Sequence, residues 1–509
     1  MFVRDPAGEF ASAGTLLKMS QTNLTTSAET GEPRVEGLLP TTAIDASCRL
    51  PVLALLSFGT VWLLVSGLLW LLSAIQLAAP GFLEGCPWVT VGHLQPAAWN
   101  VLLYGFVIQA GLGVLLWLLA RLGNAALAHA ALVIIGGLIW NVGVLLGLVG
   151  ILHGDNTGFS WLEFPRYATP LLFFSYALIS IAAVLNFSRR RRPGLYVSQW
   201  YLMAALFWFP WIFSTAVMLL GFRPVRGVVQ VVVDGWYKAG LGQVWIGGVG
   251  LAVIYYLLPK LLNRPLHSRA LANLGFWTTL FFAGWNVVSP AAPVPAWIAS
   301  ASTAGALLLL IPTLAFAVNV SCTSRGALEK GLPRAELLFV FFASAAYVAA
   351  AVLSAWGAKR GVAEVVRLTF FGNAQQVCLV YGVGVMSLMA AIAFLVPKLL
   401  GLEEGAFRLL AVQFWSSAVG VVLLVFVFTF GGLQLGRAIN NPALGYADIT
   451  AMDHSSLAAG ALGVALVLAG QIVLALQLFG LIGQGARQCF CKFAADALSV
   501  GGKPAGAKV

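Results

Sequence analysis

Of 509 residues, 60% are hydrophobic and only 9% are charged, against about 25% charged in ordinary soluble chains. So few charges cannot cover a soluble surface, and apolar runs long enough to cross roughly 30 Å of hydrocarbon recur along the chain. The net charge of +11 excludes little by itself, but the basic residues stand in short loops between apolar runs, a membrane-orientation pattern rather than a nucleic-acid surface.

Residues 1–47 are polar, rich in Ser, Thr, Gly and Glu, and predict a disordered cytoplasmic extension. They lack the compact apolar stretch of a cleaved signal peptide, and Met19 offers an alternative start. Residues 48–486 form the membrane domain. Apolar runs there predict twelve spans, at 50–78, 96–120, 125–152, 167–187, 198–220, 229–258, 270–290, 294–320, 335–357, 370–396, 405–432 and 455–485. Residues 487–509 read as a short basic cytoplasmic tail. The predicted class is therefore an all-α polytopic membrane protein.

An even number of spans puts both termini on one side. The termini and the loops on their side, with Arg408 at the near edge of span eleven, hold 21 of the 29 Lys and Arg, the opposite loops hold 7, and Lys238 lies inside a span. The densest cluster is Arg189-Arg190-Arg191-Arg192. The excess of basic residues predicts cytoplasmic termini in the cell's inner membrane.

None of the six cysteines stands in a C-x-x-C-H motif for covalent haem attachment. Cys489-Phe490-Cys491 near the tail has no neighbouring ligand to complete a metal set and reads as incidental. Two spans end alike, in Leu257-Leu258-Pro259-Lys260 and Leu395-Val396-Pro397-Lys398, as a Pro-and-Lys helix stop.

These endings belong to longer strings. Gly92-His93-Leu94-Gln95-Pro96 with Asn100 is similar to the G-R-L-R-P-x-H-x-N entrance to helix two of C-family (cbb-type) haem–copper oxidase subunit I and the related nitric oxide reductases. Tyr196-Val197-Ser198-Gln199-Trp200-Tyr201 resembles that family's Y-V-A-N-W start of helix five. Trp236-Tyr237, Tyr255-Tyr256-Leu257-Leu258-Pro259-Lys260 and Arg264-Pro265 resemble the frame of its helix six. Phe276-Trp277, Phe414-Trp415 with Gly420, and Gly432-Leu433-Gln434-Leu435-Gly436 resemble its helices seven and eleven. The matches run in order from about residue 50 to 485. The resemblance implies a twelve-helix haem–copper oxidase subunit I fold.

It also implies six metal-binding histidines: two for a low-spin haem, one for a high-spin haem and three for copper. Imidazole suits both metals as a neutral, directional ligand. The chain departs at every one of these positions. The helix-two histidine falls on Ala98, and the helix-six ligand falls on Ala239. The helix-seven pair falls within Val287, Val288, Ser289 and Pro290, and the helix-ten G-H-V-H becomes Ala374-Gln375-Gln376-Val377. The family's helix-nine glutamate falls near Leu353. Only five histidines exist, His93, His129, His153, His267 and His454, too few for six ligands under any alignment. His129 reads as a core residue early in span three, and His454 beside Asp453 reads as a cap of span twelve. The sequence therefore predicts no bound haem, no metal and no other cofactor.

Asp234 and Lys238, four apart in span six, share a helix face and are predicted to pair. Asn373, Gln375 and Gln376 suit interhelical hydrogen bonds or a wet pocket at the former ligand turn. Trp99, Trp245 and Trp285 are candidate fillers of haem-sized space. The favoured expectation is a non-catalytic subunit in membrane lipid that scaffolds a respiratory electron-transfer complex. The partners implied by the resemblance are an oxidase subunit and a membrane-anchored cytochrome c. A proton or ion transporter using Asp234, Lys238 and Glu364 is the first alternative. An active oxidase or nitric oxide reductase with unorthodox cofactor binding is the second.

Overall fold

The computed structural model describes residues 37–326, 334–403 and 405–501. Within these, every regular element is helical, because in hydrocarbon a lone segment can bond its backbone polar groups internally only as a helix. Eleven helices are long and apolar enough to cross a membrane. They are α1 (Thr41–Ala78), α2 (Val91–Gly123), α3 (Ala130–Leu152), α4 (Thr169–Ser188), α5 (Val197–Phe222) and α6 (Val228–Leu262). After the shorter α7 (Arg269–Ala283) come α8 (Ala296–Ser324), α9 (Glu336–Gly357), α10 (Phe371–Leu400) and α11 (Leu410–Ile439). The last helix, α12, starts at Tyr446 and continues to Gly501.

The helices form two shells. In α2, α6 and α10 the buried share of the most apolar stretch is 100%, 89% and 100%, whereas in the other eight spans it lies between 33% and 50%. The inner three touch through glycines, as membrane helices do where backbones must approach. A Cβ at Gly111 of α2 would lie 2.6 Å from the Trp245 ring of α6, and one at Gly384 of α10 would lie 2.8 Å from Ile246. Each inner helix widens into a π-helical stretch: Val101–Ile108 in α2, Gly240–Ile246 in α6 and Cys378–Val385 in α10.

Several sequence expectations need correction. The predicted seventh span runs to 290, but α7 stops at Ala283. Pro290, Pro293 and Pro295 follow closely, and proline removes a backbone donor and biases its predecessor away from the helical region. Val287 and Val288 therefore lie on an unwound segment. The Pro-Lys endings do not stop their helices, since Pro259 and Pro397 sit inside the final turns. The stops are left-handed caps at Asn263 (φ 52°) and Gly401 (φ 69°), residue types that adopt that conformation readily. The first helix begins at Thr41, and the last begins at Tyr446 and continues into the predicted tail as far as Gly501. Met19 lies outside the described residues.

Candidate functional site

Helices α6, α9 and α10 and three connecting segments line a cavity of about 400 Å³ that opens at the end opposite Arg189–Arg192. Helix α6 supplies Lys238, Ala239 and Gln243, and α10 supplies Gln375 and Gln376. The unwound segment after α7 adds Asn286, Val287, Val288, Ser289 and Pro290, and α9 adds Leu353 and Ser354. Arg367 stands at the mouth, just past a short helix, Arg360–Val366. Residues from four separate stretches, singled out by the family resemblance, thus meet around one space. Ala98 and Val377 do not line it. Both are buried within the packed core.

Near Ala98 the space is closed. Trp70 stacks on Tyr381 at 4.9 Å between ring centres, and Trp99 lies 5.7 Å from Trp70 and 6.2 Å from Tyr381. Beside this trio remains a void of about 40 Å³ lined by Gln95, Asn373 and both tryptophans, room for little more than a water. Trp99 is half-buried and packs against the rings of Trp70 and Tyr381. Trp245 is fully buried but fills a different gap, with Nε1 donating to the Tyr176 hydroxyl at 3.1 Å. Trp285 is 53% exposed and fills no cavity.

The predicted Asp234–Lys238 pair forms, with Nζ 2.7 Å from Oδ2. Lys238 also donates to Ser160 Oγ at 3.3 Å. Glu364, by contrast, is exposed on the short helix between spans. His93, His153 and His267 lie at helix ends or in loops, as expected. His129 is half-buried at the residue preceding α3, so it is no core histidine, because the helix starts later than the apolar run. His454 is exposed well inside α12, which starts at Tyr446, and so caps nothing. The side chains of Asp453, Cys489 and Cys491 lie outside the described residues.

One acidic residue escaped the sequence reading. Glu163, in the loop between α3 and α4, is buried and accepts a hydrogen bond from Asn100 Nδ2. Next to it the Tyr104 hydroxyl donates to the Trp161 carbonyl at 2.8 Å and meets the Tyr237 hydroxyl. Burial pushes the Glu163 carboxyl up to about 7, against the opposing pull of Asn100, backbone amides and Lys238. An unfolded glutamate titrates near ~4.3, so the fold disfavours the ionised form. This penalty is absent at lower pH and complete above the folded value. Thermal stability of the detergent-solubilised protein is expected to fall as pH rises from about 4.3 to about 7. In Glu163→Gln that slope should flatten, and an unchanged slope would contradict the assignment.

The cavity's polar groups are carboxamides, hydroxyls, an ammonium and a guanidinium. Haem iron and copper take imidazole, thiolate or thioether donors, none of which lines this space, and two cations oppose a third. Among the described residues no three His, Cys, Asp or Glu side chains gather as a metal set. These residues do not fit a haem–copper centre.

Comparison with known proteins gives a consistent family. The model for "Cytochrome C and Quinol oxidase polypeptide I" matches residues 51–479. A cytochrome c oxidase subunit 1 homolog of Azorhizobium caulinodans is 24% identical over 455 residues, covering 82% of this chain and 79% of that one. A cbb3-type cytochrome c oxidase subunit of Stutzerimonas stutzeri is 24% identical over 440 residues, covering 82% and 91%. A haem–copper terminal oxidase solved by cryo-electron microscopy shares the fold, with a TM-score of 0.61 at 13% identity over 84% of each chain.

Proposed function

Because this chain belongs to the cytochrome c and quinol oxidase polypeptide I family, we propose that it is a subunit I scaffold without metal centres, a non-catalytic part of a respiratory electron-transfer complex. One observation carries the reading. Ala239, Val287, Val288 and Gln375 gather on one cavity, four positions, as many as the resemblance assigns to the high-spin haem and copper together. None of the four can bind either metal. The π-helical stretches of α2, α6 and α10 begin just after Ala98, Ala239 and Val377, and such irregularities mark functional sites.

The multi-pass chain is proposed to lie in the bacterial inner membrane with both termini cytoplasmic, beside an oxidase subunit and a membrane-anchored cytochrome c. Its outer helices suit a membrane partner, with Trp297, Phe281 and Trp415 each exposed by 60% or more. A transporter reading has less support. Asp234 and Lys238 neutralise one another near one end of α6, and Glu364 lies outside the spans. Affinity purification of the tagged chain from native membranes in mild detergent is expected to recover an oxidase subunit and a cytochrome c in fixed proportion. A chain that purifies alone and conducts protons in liposomes, with conduction abolished by Lys238→Ala, would replace this proposal with the transporter.

A further inference from the structure

The cavity is short of metal ligands but not of chemistry. Lys238 and Arg367 line it, and no Asp or Glu does. Asp234 neutralises Lys238 at 2.7 Å, whereas Arg367 pairs with no carboxylate among the described residues. One positive charge is therefore uncompensated at the mouth. Deeper, Gln243, Gln375 and Gln376 make no hydrogen bond to any described protein group, and Asn286 uses one donor on Ser354 Oγ at 3.1 Å. A lone guanidinium over unengaged carboxamides is a donor array for an oxyanion. The guanidinium fork grips two oxygens of a carboxylate, and the amides are left to bond further oxygens. The volume of about 400 Å³ suits a small solute within the usual range of ligand pockets.

We propose that this cavity binds a small monocarboxylate carrying additional hydroxyl or keto oxygens, held by Arg367 and by Gln243, Gln375 and Gln376. One free cation favours a single negative charge over a dianion, and the amides favour an oxygenated carbon skeleton over a bare fatty acid. Removing a charged partner typically weakens such a contact by at least about tenfold. The inference rests on the reading that no haem occupies the cavity, so a visible spectrum is recorded on the same sample before titration. A haem band defeats that reading, whereas a spectrum without one leaves the carboxylate proposal to stand or fall alone.

The test is isothermal calorimetry of the full chain in neutral phosphatidylcholine nanodiscs, which supply no anionic headgroup. Sodium lactate, sodium phosphate and sodium hexanoate are titrated separately at low ionic strength. Lactate is expected to bind saturably at one site and more tightly than either other salt. Arg367→Gln should weaken it by at least about tenfold and Gln376→Leu by about two- to tenfold, while Gly480→Ala, toward the far end of α12 with open space at its Cβ, leaves it unchanged. Melting temperatures verify that every variant is folded. No saturable lactate binding, tighter binding of phosphate or hexanoate, or lactate affinity indifferent to Arg367→Gln would each overturn the proposal.

Discussion

Trp70→Ala is expected to destabilise the protein by about 3–5 kcal/mol, the usual cost of emptying a buried tryptophan site. Trp70 is 8% exposed, stacks on Tyr381 and touches Trp99, so its loss removes the centre of the trio that closes the space near Ala98. Surrounding helices cannot collapse to refill it, because α1 and α10 are fixed by their other neighbours and interiors are near close-packed. Trp70→Phe retains most of the ring area and should cost much less. Thermal unfolding in detergent, followed by loss of the monodisperse chromatographic peak, measures both. A Trp70→Ala effect below about 1 kcal/mol, far under the cavity range, would mean that the trio packs loosely.

Gly235→Ala should also be costly, for the opposite reason. A Cβ there would lie 1.7 Å from the Val287 carbonyl oxygen and 2.7 Å from its carbonyl carbon. Both are backbone atoms, so no rotamer change relieves the overlap, and the segment after α7 must move as a whole. The cost is expected at or above the upper end of the overpacking range, about 3 kcal/mol. The same movement should expose residues 284–295 to protease. Gly460→Ala meets nothing within 4 Å and should be neutral or slightly stabilising, since alanine favours helix by about 1 kcal/mol. A Gly235→Ala protein as stable and protease-resistant as the parent would show that Val287 does not press on α6 and that the cavity wall is misplaced.

Much of the fold can be read from the chain itself. Apolar runs locate every long helix, because a span must be continuous and nearly uncharged whatever its neighbours. The Asp234–Lys238 contact is likewise local, being fixed by helical spacing. Other features depend on what packs against them. Val287 and Val288 look like the end of a span until Pro290, Pro293 and Pro295 are weighed as breakers. Trp285 has the bulk of a filler but faces outward, and no spacing rule separates it from Trp99. His129 lies in an apolar run yet precedes its helix. Glu163 carried a usable signal, one acid flanked by Trp161, Leu162 and Phe164. A charge set among large apolar side chains in a loop is often drawn inward with them.

The cavity was half visible. Ala239, Gln375 and Gln376 follow from fixed distances to Pro259 and Pro397, so their meeting was foreseeable once the fold was recognised. Arg367 was not, because it belongs to a loop between spans whose short helix leaves little periodic trace. The chemistry of the cavity therefore depends as much on the connections between spans as on the helices.

The central claim is that an oxidase scaffold persists here without its metal centres, and visible absorption spectroscopy addresses it most directly. The chain, purified from haem-replete cells and normalised to protein concentration, is expected to show no Soret band in either redox state and no haem by pyridine haemochrome. Adding haem during expression should not change this, because Ala98, Ala239, Val287, Val288, Gln375 and Val377 offer iron and copper no donor. A Soret band corresponding to one or more haems per chain, shifting on reduction with dithionite, would contradict the account.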